Sequence, residues 1–277
     1  MSATRDVVRP TGNARRALSA NAWLVFAFFY APIILLVIFS FNDNRFVGVW
    51  GGGSLRWYRE MFANRPVLNS LQNSLIVAFA STIVSTVLGT FTALALERFR
   101  FRGRGAFDGL VYLPVIIPDV TMAVMMLLFF ARASSLLYGT MGATFGLGIG
   151  TITLSHIAFN ISFVAIVVRA RLAGMDPSLE EAAADLYAGR WEAFRRVTLP
   201  LIMPGILGGA LLALTLSLDE VVITSFVSGP GSTTLPVYVF GLVRRGVTPL
   251  INAVSTVMLM ASMLLVLFSL LVQRRSQ

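Results

Sequence analysis

The 277-residue chain contains no cysteine, no lysine and a single histidine, and only 13% of its residues are charged. Without cysteine there is neither a disulfide framework nor thiolate chemistry, and one histidine does not build a Cys/His zinc site. Without lysine the Gly-x-x-x-x-Gly-Lys-Ser/Thr phosphate loop is impossible, so any ATP hydrolysis by that device belongs elsewhere. Charge falls to about half the quarter that an ordinary soluble domain carries, while 56% of the residues are apolar and the mean hydropathy is +0.79. That composition excludes an ordinary soluble enzyme and indicates a membrane protein. The 22 basic residues, all arginine, outnumber 13 acidic ones and give a net charge of +9. They lie between apolar runs rather than in one patch, which excludes nucleic acid as the partner and points to membrane topology.

Six runs reach the roughly 20 residues that a helix needs to cross the hydrocarbon core: Ala22 to Phe41, Leu75 to Leu96, Gly109 to Ala131, Ala143 to Val168, Leu201 to Val227 and Leu250 to Val272. None shows the two-residue alternation of a barrel strand, so the expected class is all-α, a polytopic membrane protein with six transmembrane helices. The first run exceeds the about 7–15 residues of a signal peptide and has no Ala-x-Ala site before Asn42, so it reads as a retained span. Residues 1–21 form a tail and 22–277 one transmembrane domain. With both termini in the cytoplasm, 15 arginines lie inside and seven outside, the bias expected of a multi-pass protein. In the first outer loop Gly51-Gly52-Gly53 reads as a flexible turn, and Trp57 and Tyr58 as interfacial anchors.

The longest inner connection carries two helix signals. Asp176 reads as an N-cap, Pro177 as the first helical residue, and Glu180 and Glu181 lie at the positive end of the dipole. Ala182, Ala183 and Ala184 propagate this helix, which should end near Tyr187-Ala188-Gly189 with Gly189 left-handed. A second helix from Arg190 places Trp191, Phe194 and Val197 on one face and should end at Pro200. Its aromatic stripe needs a cover, and two are open: the membrane surface or a partner protein.

This stretch resembles the loop of permease subunits of ATP-binding-cassette importers, whose pattern is Glu-Ala-Ala, three residues, Gly, nine residues, Ile-x-Leu-Pro. Glu181, Ala182 and Ala183 match, and Val197, Leu199 and Pro200 fall at the expected spacing. Tyr187 stands at the motif's Gly, with Gly189 two residues later. The segment from Ser217, SLDEVVITSFVSGPGSTTLPVYVFGLVRRGVTPLINAVST, and LPVIIPD at Leu113 to Asp119 are similar to the second permease subunit of spermidine/putrescine importers. The resemblance implies a type I importer permease (MetI-like) fold with a core about 70–272 and a coupling loop at 170–200. It implies a non-catalytic half-pore in the bacterial inner membrane, paired with a second permease subunit. Two cytoplasmic ATPase subunits would grip the loop, and a periplasmic or extracellular substrate-binding protein would deliver the cargo. This chain would bind no cofactor, ATP and Mg being held by the ATPase.

Intramembrane acids mark a path or a buried pair. On a helix entering at Gly109, Asp119 lies about 15 Å along, with Pro114 and Pro118 kinking the span just before it. It reads either as a pathway residue for a cation or as the partner of Arg132 or of a Ser/Thr hydroxyl. Asp219 and Glu220 fall about 27–29 Å into the fifth run, near its outer end. Both read as pathway residues at an outer mouth; on one helix they would point about 100° apart, so Asp219 is preferred and one of the two is open to pairing with Arg244 or Arg245. The loop Ser228 to Pro236, with Gly229, Pro230 and Gly231, reads as an outer gate or as an ordinary turn. Gly146 with Gly150, and Gly205 with Gly209, have the spacing of close helix packing, and His156 reads as a hydrogen-bonded interior residue. The resulting expectation is an alternating-access importer permease for a polyamine. The competing readings are the same class with another cargo, a stand-alone secondary transporter, and a membrane-embedded enzyme, for which the acids are too scattered and the histidine too solitary.

Overall fold

In lipid each backbone polar group must bond within its own segment, and the apolar runs accordingly form helices. The computed structural model describes residues 12–274 except 47, 143, 177 and 247, and only the backbone of 12–14, 265, 266 and 268–274. The expected helical role of Pro177, and the arginines at 5, 9 and 275 used in the topology count, lie outside the described residues. In chain order the helices are α1 (Gly12–Phe39), α2 (Arg56–Ala63), α3 (Arg65–Arg98), α4 (Arg104–Ile116), α5 (Asp119–Met141) and α6 (Ile149–Ala173). They continue with α7 (Ser178–Asp185), α8 (Arg190–Ala193), a π-helical turn at Phe194–Thr198, α9 (Leu199–Asp219), α10 (Val222–Val227), α11 (Leu235–Arg245) and α12 (Pro249–Arg274). No strand forms among the described residues; one isolated bridge joins Asn42 and Gly53.

Five stretches are long and apolar enough to cross a membrane, Arg15–Phe39, Arg65–Arg98, Asp119–Met141, Ile149–Ala173 and Arg190–Asp219, and Pro249–Leu264 is a shorter sixth. The expected all-α polytopic class holds. Three span boundaries differ from expectation. The third run is not one helix, because Pro118 drives Ile117 into extended backbone (ψ 133°) and α5 starts afresh at Asp119. The fourth starts at Ile149, so Gly146 lies outside any helix, and the space around Gly146 and Gly150 is open, against the packing role expected of them. The fifth run breaks between Asp219 and Val222.

The chain divides into two compact units, Met1–Met61 with Val247–Val257, and Phe62–Gly246 with Met258–Gln277. In the first, the candidate span of α1 is uncovered by the chain, as suits lipid contact. The following loop is built on Asn42, whose amide donates to the Val49 carbonyl (2.7 Å) and accepts from Gly51 N–H (2.7 Å). Trp57 is buried and donates from Nε1 to the Asn42 carbonyl (2.6 Å), and Tyr58 bonds Ser40 (2.6 Å), so both serve this loop instead of the interfacial anchoring expected of them.

In the second unit α3, α6 and α9 form the central packing. Small residues set the crossings: a Cβ at Gly89 would lie 2.7 Å from Val164 Cβ, and one at Gly209 would lie 3.2 Å from Val164 Cγ1. Gly205 meets Arg171 in the same way, so the Gly205/Gly209 pair does mark close helix packing. One apolar cluster joins Val77, Met122, Phe130, Ile152, Phe159 and Ile223, and another joins Ala93, Val164, Val168, Ile202 and Ala213.

Candidate functional site: a clasped loop and two broken spans

The loop between α6 and α9 begins with a capped helix. Asp176 Oδ1 accepts the Ser178 N–H (2.9 Å), and that bond with the Ser178 hydroxyl holds its carboxyl below the ordinary range. On α7, Glu180 turns inward. Arg98 at the end of α3 donates to both its oxygens, one at 2.5 Å, and Thr198 in the π-helical turn donates to it as well. Burial raises the Glu180 pKa, but the Thr198 hydrogen bond and the Arg98 guanidinium outweigh it, and the carboxyl titrates below its usual value. One residue earlier on α3, Glu97 accepts from Arg169 of α6 (2.8 Å), which also bonds Asp108 of α4. Neither clasp has a motif, and Arg98 and Thr198 were not among the residues expected to matter.

Glu181, Ala182 and Trp191 are exposed, and Ala183 is half-buried. Trp191 stacks on Phe194 at 5.6 Å between ring centroids, tilted by 30°. Beneath them runs a groove of about 670 Å³ lined by Phe91, Leu94, Phe99, Ala184, Trp191 and Phe194. The end of α7 corrects one expectation. Ala188 N–H bonds the Ala183 carbonyl and Tyr187 N–H the Ala184 carbonyl, the paired bonds of a Schellman cap. The left-handed residue is therefore Tyr187 (φ 62°), at the motif's Gly position, and not Gly189, which is extended at φ −65°. A side chain there costs about 1 kcal/mol relative to glycine. Nor does Pro200 end the second helix. Proline lacks an N–H and its ring clashes with the carbonyl four residues back, and the π-helical turn at Phe194–Thr198 absorbs that mismatch, so the helix runs on into α9.

The acids sit at helix breaks. Asp119 opens α5 with its side chain exposed and favourably placed at the dipole's positive end. It makes no ion pair with Arg132 among the described residues. Asp219 is exposed at the last turn of α9, whereas Glu220 folds over the start of α10. Its Oε1 accepts Ile223 N–H and its Oε2 accepts both Thr224 N–H and the Thr224 hydroxyl, all at 2.7 Å. Because the Thr224 proton is committed to Glu220, Thr224 Oγ1 accepts from His156 Nε2 (2.9 Å), leaving His156 Nδ1 to accept from Ser217 (2.6 Å). Ser81 meets Ser217 at 3.1 Å, so α3, α6, α9 and α10 meet in one buried chain of hydrogen bonds. Glu220 is thus a cap, not the partner of Arg244 or Arg245. Arg244 lies over the Phe240 ring (4.5 Å), and Arg245 Nε donates to the Gly241 carbonyl (3.2 Å). The two acids differ because the backbone turns between them, not because they lie 100° apart on one helix.

Gly229, Pro230 and Gly231 form a pinned turn. Asn73 of α3 donates to the carbonyls of Gly231 and Thr233 (both 3.0 Å), and Ser74 accepts from Leu235 N–H (2.8 Å). Thr151 of α6 donates to the Val227 carbonyl (2.7 Å). Gly229 lies flush against the Leu147 carbonyl, where any Cβ would overlap it. Asn73, Ser74 and Thr151 carry no motif and were missed; polar residues inside apolar runs were the available signal.

Residues 85–277 match the family model for the binding-protein-dependent transport system inner membrane component. The chain is 45% identical over 237 residues to the putrescine transport system permease protein PotI of Escherichia coli K12, covering 85% of this chain and 83% of that protein. It is 38% identical over 258 residues to the spermidine/putrescine transport system permease protein PotC of Haemophilus influenzae Rd, covering 93% and 96%. Its fold matches that of a chain in the crystal structure of a bacterial ABC transporter that imports the acidic polysaccharide alginate, with a TM-score of 0.78 over 94% of each chain at 21% identity. With a capped and clasped loop ahead of its fifth span, helices broken at acids and this degree of likeness, the chain belongs to the inner membrane components of binding-protein-dependent transport systems.

Proposed function

We propose that this chain is the half-pore of an ATP-driven polyamine importer. The observation that carries the cargo is its identity with putrescine and spermidine/putrescine permeases along most of its length. The exposed carboxylates Asp119 and Asp219, each at a helix break, suit a polycation, which can exchange water for fixed negative charge along a path. Both termini lie in the cytoplasm, and the 174–200 loop faces two ATPase subunits that hold ATP and Mg. A second permease subunit completes the pore, and a binding protein delivers cargo at the turn of Gly229, Pro230 and Gly231.

In this reading Glu181, Ala182, Ala183 and Trp191 present the docking face, while Glu180, tied to Arg98, carries movement of α7 into α3. The continuous helix from Trp191 and Phe194 through Pro200 carries the same movement into α9. ATP binding drives transport only by favouring one of two pore conformations over the other. The test is uptake of labelled putrescine and spermidine into proteoliposomes holding the four kinds of subunit. ATP-dependent uptake that unlabelled polyamine suppresses is expected. Uptake without the ATPase favours a secondary transporter, and uptake suppressed by another solute class reassigns the cargo.

A further inference from the structure

Tyr187 stands in a left-handed backbone position (φ 62°) that favours glycine, yet the residue is 98% exposed. The hydrogen bonds of the turn are all backbone bonds, so the ring does nothing to hold the conformation it makes harder to adopt. A strained residue that persists without an internal contact points to a use outside the chain. Its neighbours sharpen the case. Leu186 is 81% and Trp191 72% exposed, so three large apolar side chains crowd one polar loop and require a cover.

Two covers are available, a bilayer surface or a protein. Glu181 and Asp185 are exposed on the helix that Tyr187 terminates, and neither is in an ion pair among the described residues. An anionic inner leaflet repels them, whereas a protein cleft with an apolar floor and a cationic rim accommodates ring and acids together. We propose that Tyr187, with Leu186, is an added contact by which this permease recognises its own ATPase subunit, seated in an apolar pocket whose rim is basic. The inference rests on the importer reading above and extends it, because the motif's glycine offers no side chain at this point.

The chain has no cysteine, so a Tyr187→Cys thiol is its sole target for a water-soluble maleimide, and the label is read on the separated permease band. In nanodiscs the thiol is expected to label freely when the permease is alone and to be protected once the co-expressed ATPase subunit is bound. Protection before the ATPase is added means that the bilayer covers the turn, and labelling that persists after binding means that the ATPase does not reach it; either overturns the inference. In a parallel binding titration Tyr187→Gly should lower ATPase affinity by about tenfold, the scale of an interface aromatic, without lowering thermal stability. Tyr187→Phe should bind as the unsubstituted chain does. Equal binding by the glycine variant overturns the inference and leaves the importer reading standing, whereas an unsubstituted chain that binds no ATPase overturns both.

Discussion

Arg98 and Glu180 lie 82 positions apart, and no short motif joins them, yet they close the contact that fixes α7. Both are partly exposed, so their coupling in a double-mutant cycle of Arg98→Ala and Glu180→Gln, read by thermal unfolding in detergent, should be about 1 kcal/mol. The Glu180 carboxyl is held below its ordinary value of 4.5, so its contribution is complete only above that value. It is lost as the pH falls through the lower folded value. The same variants should show unaltered stability differences between pH 6 and 8. At Gly229 the Leu147 carbonyl leaves no space for a methyl group, so Gly229→Ala must displace the turn. A loss of about 1–3 kcal/mol is expected, seen as increased proteolysis at the 228–234 loop. The motif residues Glu181, Ala182, Ala183 and Pro200 were legible because their spacing repeats a known pattern. Arg98 and Asn73 were not, because only the three-dimensional path of α3 brings them to the loops they hold, and Thr198 was not, because it meets Glu180 only once α7 folds back on the π-helical turn.

At the scale of elements, apolar runs identified the helices but not their breaks. Pro118 announced the α4–α5 break, since the residue before proline is pushed out of helical backbone. The α9–α10 break has no glycine or proline. It depends on Glu220 offering both oxygens to the first N–H groups of α10, a choice visible only once Thr224 and His156 are in place. The π-helical turn was equally hidden, because Pro200 signals a helix end and the structure instead adds a wider turn. His156→Leu removes a partner from both Ser217 and Thr224 inside the bundle. Thr224 keeps Glu220 and Ser217 keeps Ser81, so two hydrogen bonds are lost at about 0.5–1.5 kcal/mol each; the variant should lose roughly 1–3 kcal/mol in thermal unfolding, and His156→Gln should recover part of it. A His156→Leu variant as stable as the unsubstituted chain would mean that water replaces the ring.

For the whole molecule, the breaks and clasps follow one division of labour. Glycine contacts and apolar clusters make α3, α6 and α9 a common body, and polar contacts tie two loops to it: the 174–200 loop at Arg98, the Gly229 turn at Asn73. The class of the molecule was legible from composition alone, since a chain this poor in charge has few other ways to fold. Its proposed orientation rests on the arginine bias alone, and the proposed coupling depends on it. Because the chain lacks cysteine, orientation is open to direct measurement. Single thiols introduced as Glu181→Cys and Pro230→Cys are exposed to a membrane-impermeant maleimide in intact cells. The proposed importer requires label at 230 and none at 181 until the membrane is opened; label at 181 in sealed cells would contradict it.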